Sequence, residues 1–580
     1  MENFLTDNED ILFHLEHLDL DRIISLREEN FTQAQVYAHA PKDAEDARES
    51  YRMVLSIIGE ICGDFIAPHA AAVDEAGPTL ANNQVTLNPA TQKALDMFAQ
   101  ADLMGFCVPR QYGGLNMPST ILSIAAEITA RADASFLNFG LQQDIAGTLN
   151  KFGSEEQKQT YLPRLCSGEW DSSMILTEPD AGSDLQAVNL KAVQDESGQW
   201  RLNGVKRFIT NGCGTIGLVL ARSEEKGKGA RGLSFFLYKR DDRMIIRRLE
   251  HKLGIHGSPT CELQFNHAPA ELVGERQRGL TKYTLWLMNN ARLGVAAQAV
   301  GIAEAAYREA DRYAAKRIQF GAPIRILPPV FEMLTEMKVA VEAARSLLYE
   351  TSRFVDLKEC LEEYSDKHPE EKGEIVEEKK KYAKLAGFFT PLVKAYATET
   401  ANKVAFDAIQ IHGGTGYMKE FNAERHYRDA RITNIYEGTT QLQVVAAIGP
   451  VTSGVAAAIL DEYDQADYSH SPELLAKVRE ARKLFNETLD YVKAYKPAEN
   501  GFPPDQFLTY HSRRLVEMAA DLVISYLLLR DAAHSDRKRK AASIFIARAP
   551  SRIQANRNFI LSEDGVLLKN YEAIIGSCPA

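Results

Sequence analysis

No two cysteines in this chain stand in a CxxC spacing, and their total, seven, is odd. That argues against a disulfide frame and against a thiolate zinc site. Reduced thiols and no metal are expected. Basic residues are also short: 67 Lys and Arg against 79 Asp and Glu leave a net charge of −12. Such a balance speaks against a nucleic-acid binder. It makes any grip on an anionic ligand a local matter. No apolar run approaches the length of a membrane span. The opening residues, Met1-Glu2-Asn3-Phe4-Leu5-Thr6-Asp7, are acidic. They lack the basic start of a secretory signal and the arginine-rich pattern of a transit peptide, so a cytoplasmic location is expected. There is no strand–GxGxxG–helix unit with a ribose-binding acid, hence no Rossmann dinucleotide site.

What is present is ordinary in bulk and informative in order. Hydrophobic residues make up 45% and charged residues 25%, the balance of a soluble globular protein. A chain of 580 residues outgrows a single core and predicts several domains. Residues 1–45 alternate charged and apolar positions and end in Ala38-His39-Ala40-Pro41-Lys42-Asp43, read as a linker after an N-terminal extension. Residues 46–170 read as helices, with Met53, Ile57, Ile58, Ile61 and Phe65 at helical spacing, and likewise Ile121, Ile124, Ala125 and Ile128.

After Trp170 short apolar runs alternate with turn signals, and Asn203-Gly204 reads as a tight turn between two strands. Residues 171–284 are thus expected to form a β-domain. Helical period returns at Leu285, where Leu293, Ala296, Ala297, Val300 and Ala303 form an alanine-rich face suited to close helix packing. Residues 285–449 are expected to be a four-helix-type domain, with Lys358–Lys381 a solvated connection between helices. Residues 450–580 read as an additional helical region. There the Asp536-Arg537-Lys538-Arg539-Lys540 cluster reads as a solvated helix start rather than a membrane or phosphate contact. The fold class is α+β.

Four segments carry chemistry. They are Met174-Ile175-Leu176-Thr177-Glu178-Pro179-Asp180-Ala181-Gly182-Ser183-Asp184; Lys206-Arg207-Phe208-Ile209-Thr210-Asn211-Gly212; Arg317-Ile318-Gln319-Phe320-Gly321; and Ile411-His412-Gly413-Gly414-Thr415-Gly416-Tyr417, followed by Tyr436-Glu437-Gly438-Thr439-Thr440-Gln441. Each alone has a bland reading: a strand and polar turn, a strand entering a turn, a surface charge with a helix-end aromatic, a glycine C-cap. Together, in this order, they resemble the acyl-CoA dehydrogenase family of flavoenzymes over residues 50 to 450.

The resemblance implies an N-terminal helical domain, a middle β-domain and a C-terminal helical bundle. It implies FAD, an acyl-CoA substrate, an electron-transfer flavoprotein and a homo-oligomer, dimer or tetramer. By the same resemblance Leu176 and Thr177 hold the flavin ring, Phe208 covers one of its faces where the family often has Trp, and Thr210 bonds near its reactive nitrogen. Arg317, Gln319 and Phe320 reach the cofactor of a neighbouring subunit, Gln410, Gly413 and Gly414 meet the cofactor at its pyrophosphate, and Thr439 and Gln441 touch the flavin or its ribityl chain. Ser183, Arg292 and Gly438 bind substrate. Met174 stands where the family often has Tyr.

Glu437 is the expected catalytic base. Removing a proton beside a thioester carbonyl needs a carboxylate screened from water, its pKa raised by burial. Its backbone N–H is placed to polarise the thioester oxygen. Some family members carry the base just before the arginine that matches Arg292. Here that residue is Ala291, which leaves Glu437. The favoured function is dehydrogenation of an acyl-CoA to the trans-2-enoyl-CoA, in the manner of fatty-acid β-oxidation. The alternatives are an acyl-CoA oxidase passing electrons to oxygen and a dehydrogenase for an unusual substrate such as methylthio-propanoyl-CoA. A degenerate binding protein is disfavoured by the retention of Glu437, Arg317 and both glycine segments.

Overall fold

A computed structural model describes residues 2–141, 143–224, 227, 229–370, 373–497 and 502–576. The architecture is α+β, with helical parts on either side of one β-domain in the sequence. The first helical part is anchored by side-chain caps. Asp43 accepts the Asp46 N–H at the start of Ala44–Ile61, and Ser154 with Gln157 forms a capping box before Glu155–Cys166. The helix Ser119–Ala132 is buried along nearly its whole length.

The N-terminal 45 residues are not a linked appendage. Ile11, Leu15, Ile23 and Ile24 are buried in the main core. The chain crosses the Ala44–Ile61 helix where glycines allow it: a Cβ at Gly59 would meet Asn3 Oδ1 at 2.4 Å, and one at Gly63 the Glu2 carbonyl at 1.9 Å. Burial on that helix falls on Tyr51, Val54, Leu55, Ile58 and Ile61, while Met53 is 60% exposed. The expected stripe is therefore partly corrected, because the N-terminal segment defines which face is covered. By length and composition one stretch, Ala44–Ala76, could cross a membrane, but half of its apolar window is buried inside the molecule.

The β-domain is a seven-stranded sheet whose pairings close on themselves. Trp200–Thr210 pairs antiparallel with Thr260–Leu272 and with Lys191–Gln194. Thr260–Leu272 continues to Leu233–Lys239 and Met244–Leu249. Leu233–Lys239 returns to Ile216–Arg222, which also runs parallel to Ser172–Ile175. Asn203-Gly204 is not a turn. It lies inside the strand Trp200–Thr210 at a register shift, with Gly204 at φ +143°. The glycine serves a bulge that bends the strand, so Phe208 and Thr210 belong to the same strand as Trp200.

The long helices Leu285–Lys316, Pro328–Lys367 and Glu374–His412 form the bundle, joined by Thr440–Thr452 and packed on Ser119–Ala132. The alanine face of Leu285–Lys316 is spent inside the chain: Leu293, Ala296, Ala297, Val300 and Ala303 are buried, and a Cβ at Gly301 would meet the Glu127 carbonyl at 2.4 Å. The close helix packing that the alanine pattern implies is thus met within the chain, and the face is not left free for a second subunit. Most of Lys358–Lys381 is helix, with Cys360 and Leu361 buried, so solvation is confined to its outer faces and to the short connection; residues 371 and 372 lie outside the described ones.

The tail helices Pro472–Ala494, Pro504–Asp531 and Asp536–Leu561 pack on one another, and Pro504–Asp531 packs on Thr440–Thr452 and Pro328–Lys367. Ser535 caps Asp536–Leu561, and the cluster there is solvated at Asp536 and Lys540 but not at Lys538. Lys538 is 1% exposed and pairs with Asp10 and Glu342; Arg537 bonds the same two carboxylates.

Those contacts belong to a larger buried network. Arg345 donates to Asp10 Oδ2 at 2.6 Å, to Glu127 Oε1 at 2.8 and 2.5 Å, and to Glu304 Oε2 at 2.9 Å. The Tyr349 hydroxyl donates to Glu127 Oε2 at 2.7 Å. Removing Arg345 leaves the buried Glu127 without a charged partner among the described residues, while Asp10 keeps Arg537 and Lys538 and Glu304 keeps Arg308; breaking such a buried pair costs about 3–5 kcal/mol. Arg345→Met is expected to lower the melting temperature by several degrees and to open the segment before Ala44 to protease. Calorimetry with limited proteolysis checks this; an N-terminus as resistant as in the parent would show that the network is not what holds it.

Candidate active site

A cavity of about 680 Å³ lies where the β-domain, the first helical part and the bundle meet. Its walls bring together Leu176, Thr177, Ser183, Phe208, Thr210, Glu437, Gly438 and Thr439, eight of the residues singled out from the sequence. Met174 and Ala291 line it too.

The β-domain side is held from behind. Lys206, fully buried, donates to the Leu176 carbonyl at 2.6 Å and pairs with Glu178 at 3.0 Å; burial pushes its ammonium down to about 8. Glu178 in turn accepts the N–H groups of Asn189 and Leu190 at 2.7 and 2.9 Å. The Arg207 N–H donates to the Thr177 carbonyl at 3.0 Å. Phe208 has φ +61° and keeps its ring 52% exposed beside the cavity, with the Arg207 guanidinium 4.6 Å from the ring centre. A large aromatic side chain in left-handed backbone, turned outward, is unusual for a core residue and offers a flat apolar shelf.

Glu437 occupies the loop between the helices Ala423–Thr433 and Thr440–Thr452. Thr439 caps the second helix through its hydroxyl, and the Thr440 hydroxyl donates to Glu399 at 2.6 Å. Glu437 and Gly438 have φ +54° and +92°. At Gly438 a Cβ would sit 2.7 Å from Gln443 Nε2, so the position needs glycine on both counts. The two carbonyls are pinned: Gln443 Nε2 donates to both at 3.1 and 2.9 Å, and Lys394 Nζ donates to Gly438 O at 2.7 Å. Among the described residues the Glu437 N–H meets no protein acceptor.

Burial raises the Glu437 carboxyl to about 7, against the lowering pull of Lys394 and Arg292. Burial likewise presses the Lys394 ammonium down to about 7. Tyr436, before the acid, donates to Gln298.

The remaining sequence candidates lie elsewhere. Arg292 does not line the cavity; its Nε donates to the Glu437 carbonyl at 3.3 Å and its Nη1 to Asn289 at 3.0 Å. In this position it braces the loop that carries Glu437. Gln441 is exposed in the first turn of Thr440–Thr452. Arg317 and Gln319 share a second recess of about 530 Å³ with Gly413 and Gly414, and no residue lines both recesses. A Cβ at either glycine would meet open space, so their backbone can be approached closely. Gln410 and Phe320 are exposed, Phe320 by 93% at the tip of the Ile318–Gln319/Ala322–Pro323 hairpin. The sequence reading missed Lys394 and Gln443. Lys394 did leave a signal: a lone cation after Phe388-Phe389-Thr390-Pro391-Leu392-Val393, where a fully buried charge demands a partner.

A helical part, a closed β-domain and a helical bundle that converge on one cavity define an α+β enzyme frame with its site at the domain joint. The chain belongs to the acyl-CoA dehydrogenase family. The models for the family's N-terminal, middle and C-terminal domains match residues 48–169, 173–268 and 293–441, and a further acyl-CoA dehydrogenase C-terminal model matches 452–564. The family's enzymes are flavin-dependent oxidoreductases acting on the CH–CH bond of acyl-CoA. The chain is 35% identical over 467 residues to the 3-methylmercaptopropionyl-CoA dehydrogenase of Ruegeria pomeroyi, covering 76% of this chain and 75% of that one. Among solved structures it resembles butyryl-CoA dehydrogenase from Megasphaera elsdenii, with 29% identity, a TM-score of 0.59 and coverage of 69% and 97%. The fold also matches an acyl-CoA dehydrogenase complexed with FAD from Bacillus anthracis at 23% identity and a TM-score of 0.73, covering 88% of each chain.

The geometry makes Lys394 a test of the loop. Its ammonium is the larger of the two pulls holding Glu437 down. Lys394→Met is expected to raise the pH at which Glu437 ionises by on the order of one unit. Only the carboxylate form accepts a proton, so the acid limb of kcat/KM moves to higher pH. A limb that stays in place would detach Lys394 from the titration.

Proposed function

We propose that this protein is an FAD-dependent acyl-CoA dehydrogenase with Glu437 as its base. The observation that carries the reading is a carboxyl raised to about 7 by burial, on the same cavity as the Phe208 shelf and Thr210. The carboxylate of Glu437 takes the α-proton of the thioester. The Glu437 N–H, without a protein acceptor among the described residues, donates to the thioester oxygen and stabilises the enolate character that develops there. Lys394 and Gln443 fix the loop so that neither group must reorganise during the step. Gly438 lets the substrate approach the backbone.

The residues present fit the cofactor. The shelf of Phe208 with Leu176, Thr177 and Thr210 suits a planar ring, and Thr439 borders it. The recess of Arg317, Gln319, Gly413 and Gly414 suits a pyrophosphate, through a planar guanidinium and unblocked backbone. Bound there, FAD would supply the acceptor for the β-hydrogen as hydride, which would give the trans-2-enoyl-CoA. Electrons then pass to an electron-transfer flavoprotein in the cytoplasm.

The separation of the two recesses supports a shared site. Arg317 and its neighbours, with Gln410 and the projecting Phe320, serve the cofactor of a second copy, so the protein works as a homodimer or tetramer. We also infer that the functional units are the first 45 residues, the helical domain to 170, the β-domain to 284, the bundle to 449 and the helical tail beyond.

Glu437→Gln keeps the size of the side chain and removes its basicity. It is expected to bind FAD yet lose on the order of 10²–10⁴-fold in turnover. Activity near that of the parent would remove Glu437 from the role. Oxygen uptake with and without an electron-transfer flavoprotein separates dehydrogenase from oxidase.

Arg317→Ala is expected to weaken both FAD retention and assembly, because ligand binding at a shared site stabilises the interface. Sedimentation at graded dilution, with flavin absorbance followed in parallel, reads this. A monomer holding its full complement of FAD would place the cofactor site within one chain.

A further inference from the structure

Beyond Glu437 the cavity continues between the helices Ser119–Ala132, Asp144–Phe152 and Pro328–Lys367 as far as Arg27. Leu122, Ala126, Leu137 and Leu141 give this arm the wall that a plain hydrocarbon would favour. Asp144 and Glu359 interrupt it. Both are half-buried on the cavity wall, and neither side chain has a hydrogen bond or an ion pair to protein among the described residues, so their partners must come from whatever fills the cavity.

The cations nearby are already engaged. Arg27 donates to the Asn116 carbonyl at 2.8 Å and the Cys107 carbonyl at 2.9 Å, and it faces Glu363 and Asp356. Lys151 pairs with Glu362 at 3.5 Å. Lys358 is the strongest of the cations that draw Glu359 down, but burial outweighs it. Burial raises Asp144 and Glu359 each to about 7. Asp144 is pushed further by Glu437 and Glu359, and Glu359 by Asp356 and Glu363.

Charge decides which end of a substrate enters this arm. The phosphates of coenzyme A are repelled by two uncompensated carboxyls, so the acyl end passes them. A methylene chain here would leave both groups desolvated and unbonded, at a cost. A donor on the chain would satisfy them with charge-assisted hydrogen bonds.

We propose that Asp144 and Glu359 determine specificity by selecting an acyl group that bears a hydrogen-bond donor, a hydroxyl or an ammonium, beyond its β-carbon. This rests on the acyl-CoA dehydrogenase reading. The test uses the flavin-loaded enzyme and acyl-CoAs of matched length carrying a terminal methyl, hydroxyl, amino or carboxyl group, with 3-methylthiopropanoyl-CoA alongside. Anaerobic flavin bleaching gives kcat/KM for each, and calorimetry gives the Kd of each enoyl product.

The hydroxy or amino substrate should exceed the methyl one by roughly tenfold or more, and the carboxyl substrate should be the poorest. A hydroxy preference with a weak amino response means the carboxyls act in their neutral form; the reverse means they act as charges. Either outcome supports the proposal. Asp144→Asn and Glu359→Gln, isosteric and separately made, should each shrink the ratio of donor to methyl substrate in both kcat/KM and Kd. The proposal is overturned if the methyl, carboxyl or methylthio substrate is best in the parent, or if neither variant moves the ratio. Absence of bleaching by every acyl-CoA would instead overturn the dehydrogenase reading on which it rests.

Discussion

The molecule depends on one buried guanidinium. Arg345 is fully enclosed, and taking its charge out of water is costly. The cost is offset only because each of its three nitrogens meets a carboxylate: Asp10 from the N-terminal segment, Glu127 from the first helical part and Glu304 from the bundle. Asp10 extends the network to Lys538 in the tail. Apolar packing alone tolerates small slips between helices; a bonded charge cluster does not, since any slip strands a charge. The helices that carry Glu127, Glu304 and Arg345 are also the helices that wall the cavity: Ser119–Ala132, Leu285–Lys316 and Pro328–Lys367. The shape of the site and the docking of both chain ends therefore rest on the same bonds.

Within the cavity a second, smaller balance operates. Burial lifts Glu437 while Lys394 and Arg292 pull it down, and it comes to rest near neutrality. The same burial depresses Lys394 to a similar value. Neither group could hold this position without the other. A carboxyl alone at that depth would stay protonated, and an ammonium alone would lose its proton. The left-handed backbone at Glu437 is a further unfavourable feature. It persists because Gln443, Lys394 and Arg292 tie down its own carbonyl and that of Gly438. Position and basicity are thus set by the same side chains.

Much of this was legible in the residues. Periodicity separated helices from strands because each element buries one face against a neighbour, and the Glu437-Gly438 pair announced a constrained loop. What failed, failed for tertiary reasons. Asn203-Gly204 looks like a turn to any local rule; only the register with Thr260–Leu272 makes it a bulge. Lys538 looks solvated until Asp10, more than 500 residues away in sequence, supplies its counter-charge. Arg292 looks free to meet a ligand until the loop's carbonyl takes its Nε. Lys394 and Asp144 are ordinary helix residues whose meaning appears only when the cavity forms around them. In each case the deciding partner is distant in sequence, and no window of local pattern contains it.

The same reasoning bears on how an acidic protein grips an anionic cofactor. With a net charge of −12, the field of the whole molecule offers no attraction, and the grip must be built from a few oriented groups. On the proposed reading Arg317, Gln319, Gly413 and Gly414 are such a group: one exposed cation and backbone that no side chain obstructs. It stands apart from the ring-sized shelf at Phe208, and the hairpin beside it pushes Phe320 almost wholly into solvent. An exposed aromatic at the tip of a two-stranded hairpin gains nothing for a solitary chain. It gains contact area if a second copy brings its own shelf against this recess. On that arrangement each chain supplies half of two sites, and the alanine face of Leu285–Lys316, already buried within its own chain, need take no part in the assembly. The interface would then be defined by the cofactor as much as by protein surface, which ties oligomer and flavin to a single equilibrium.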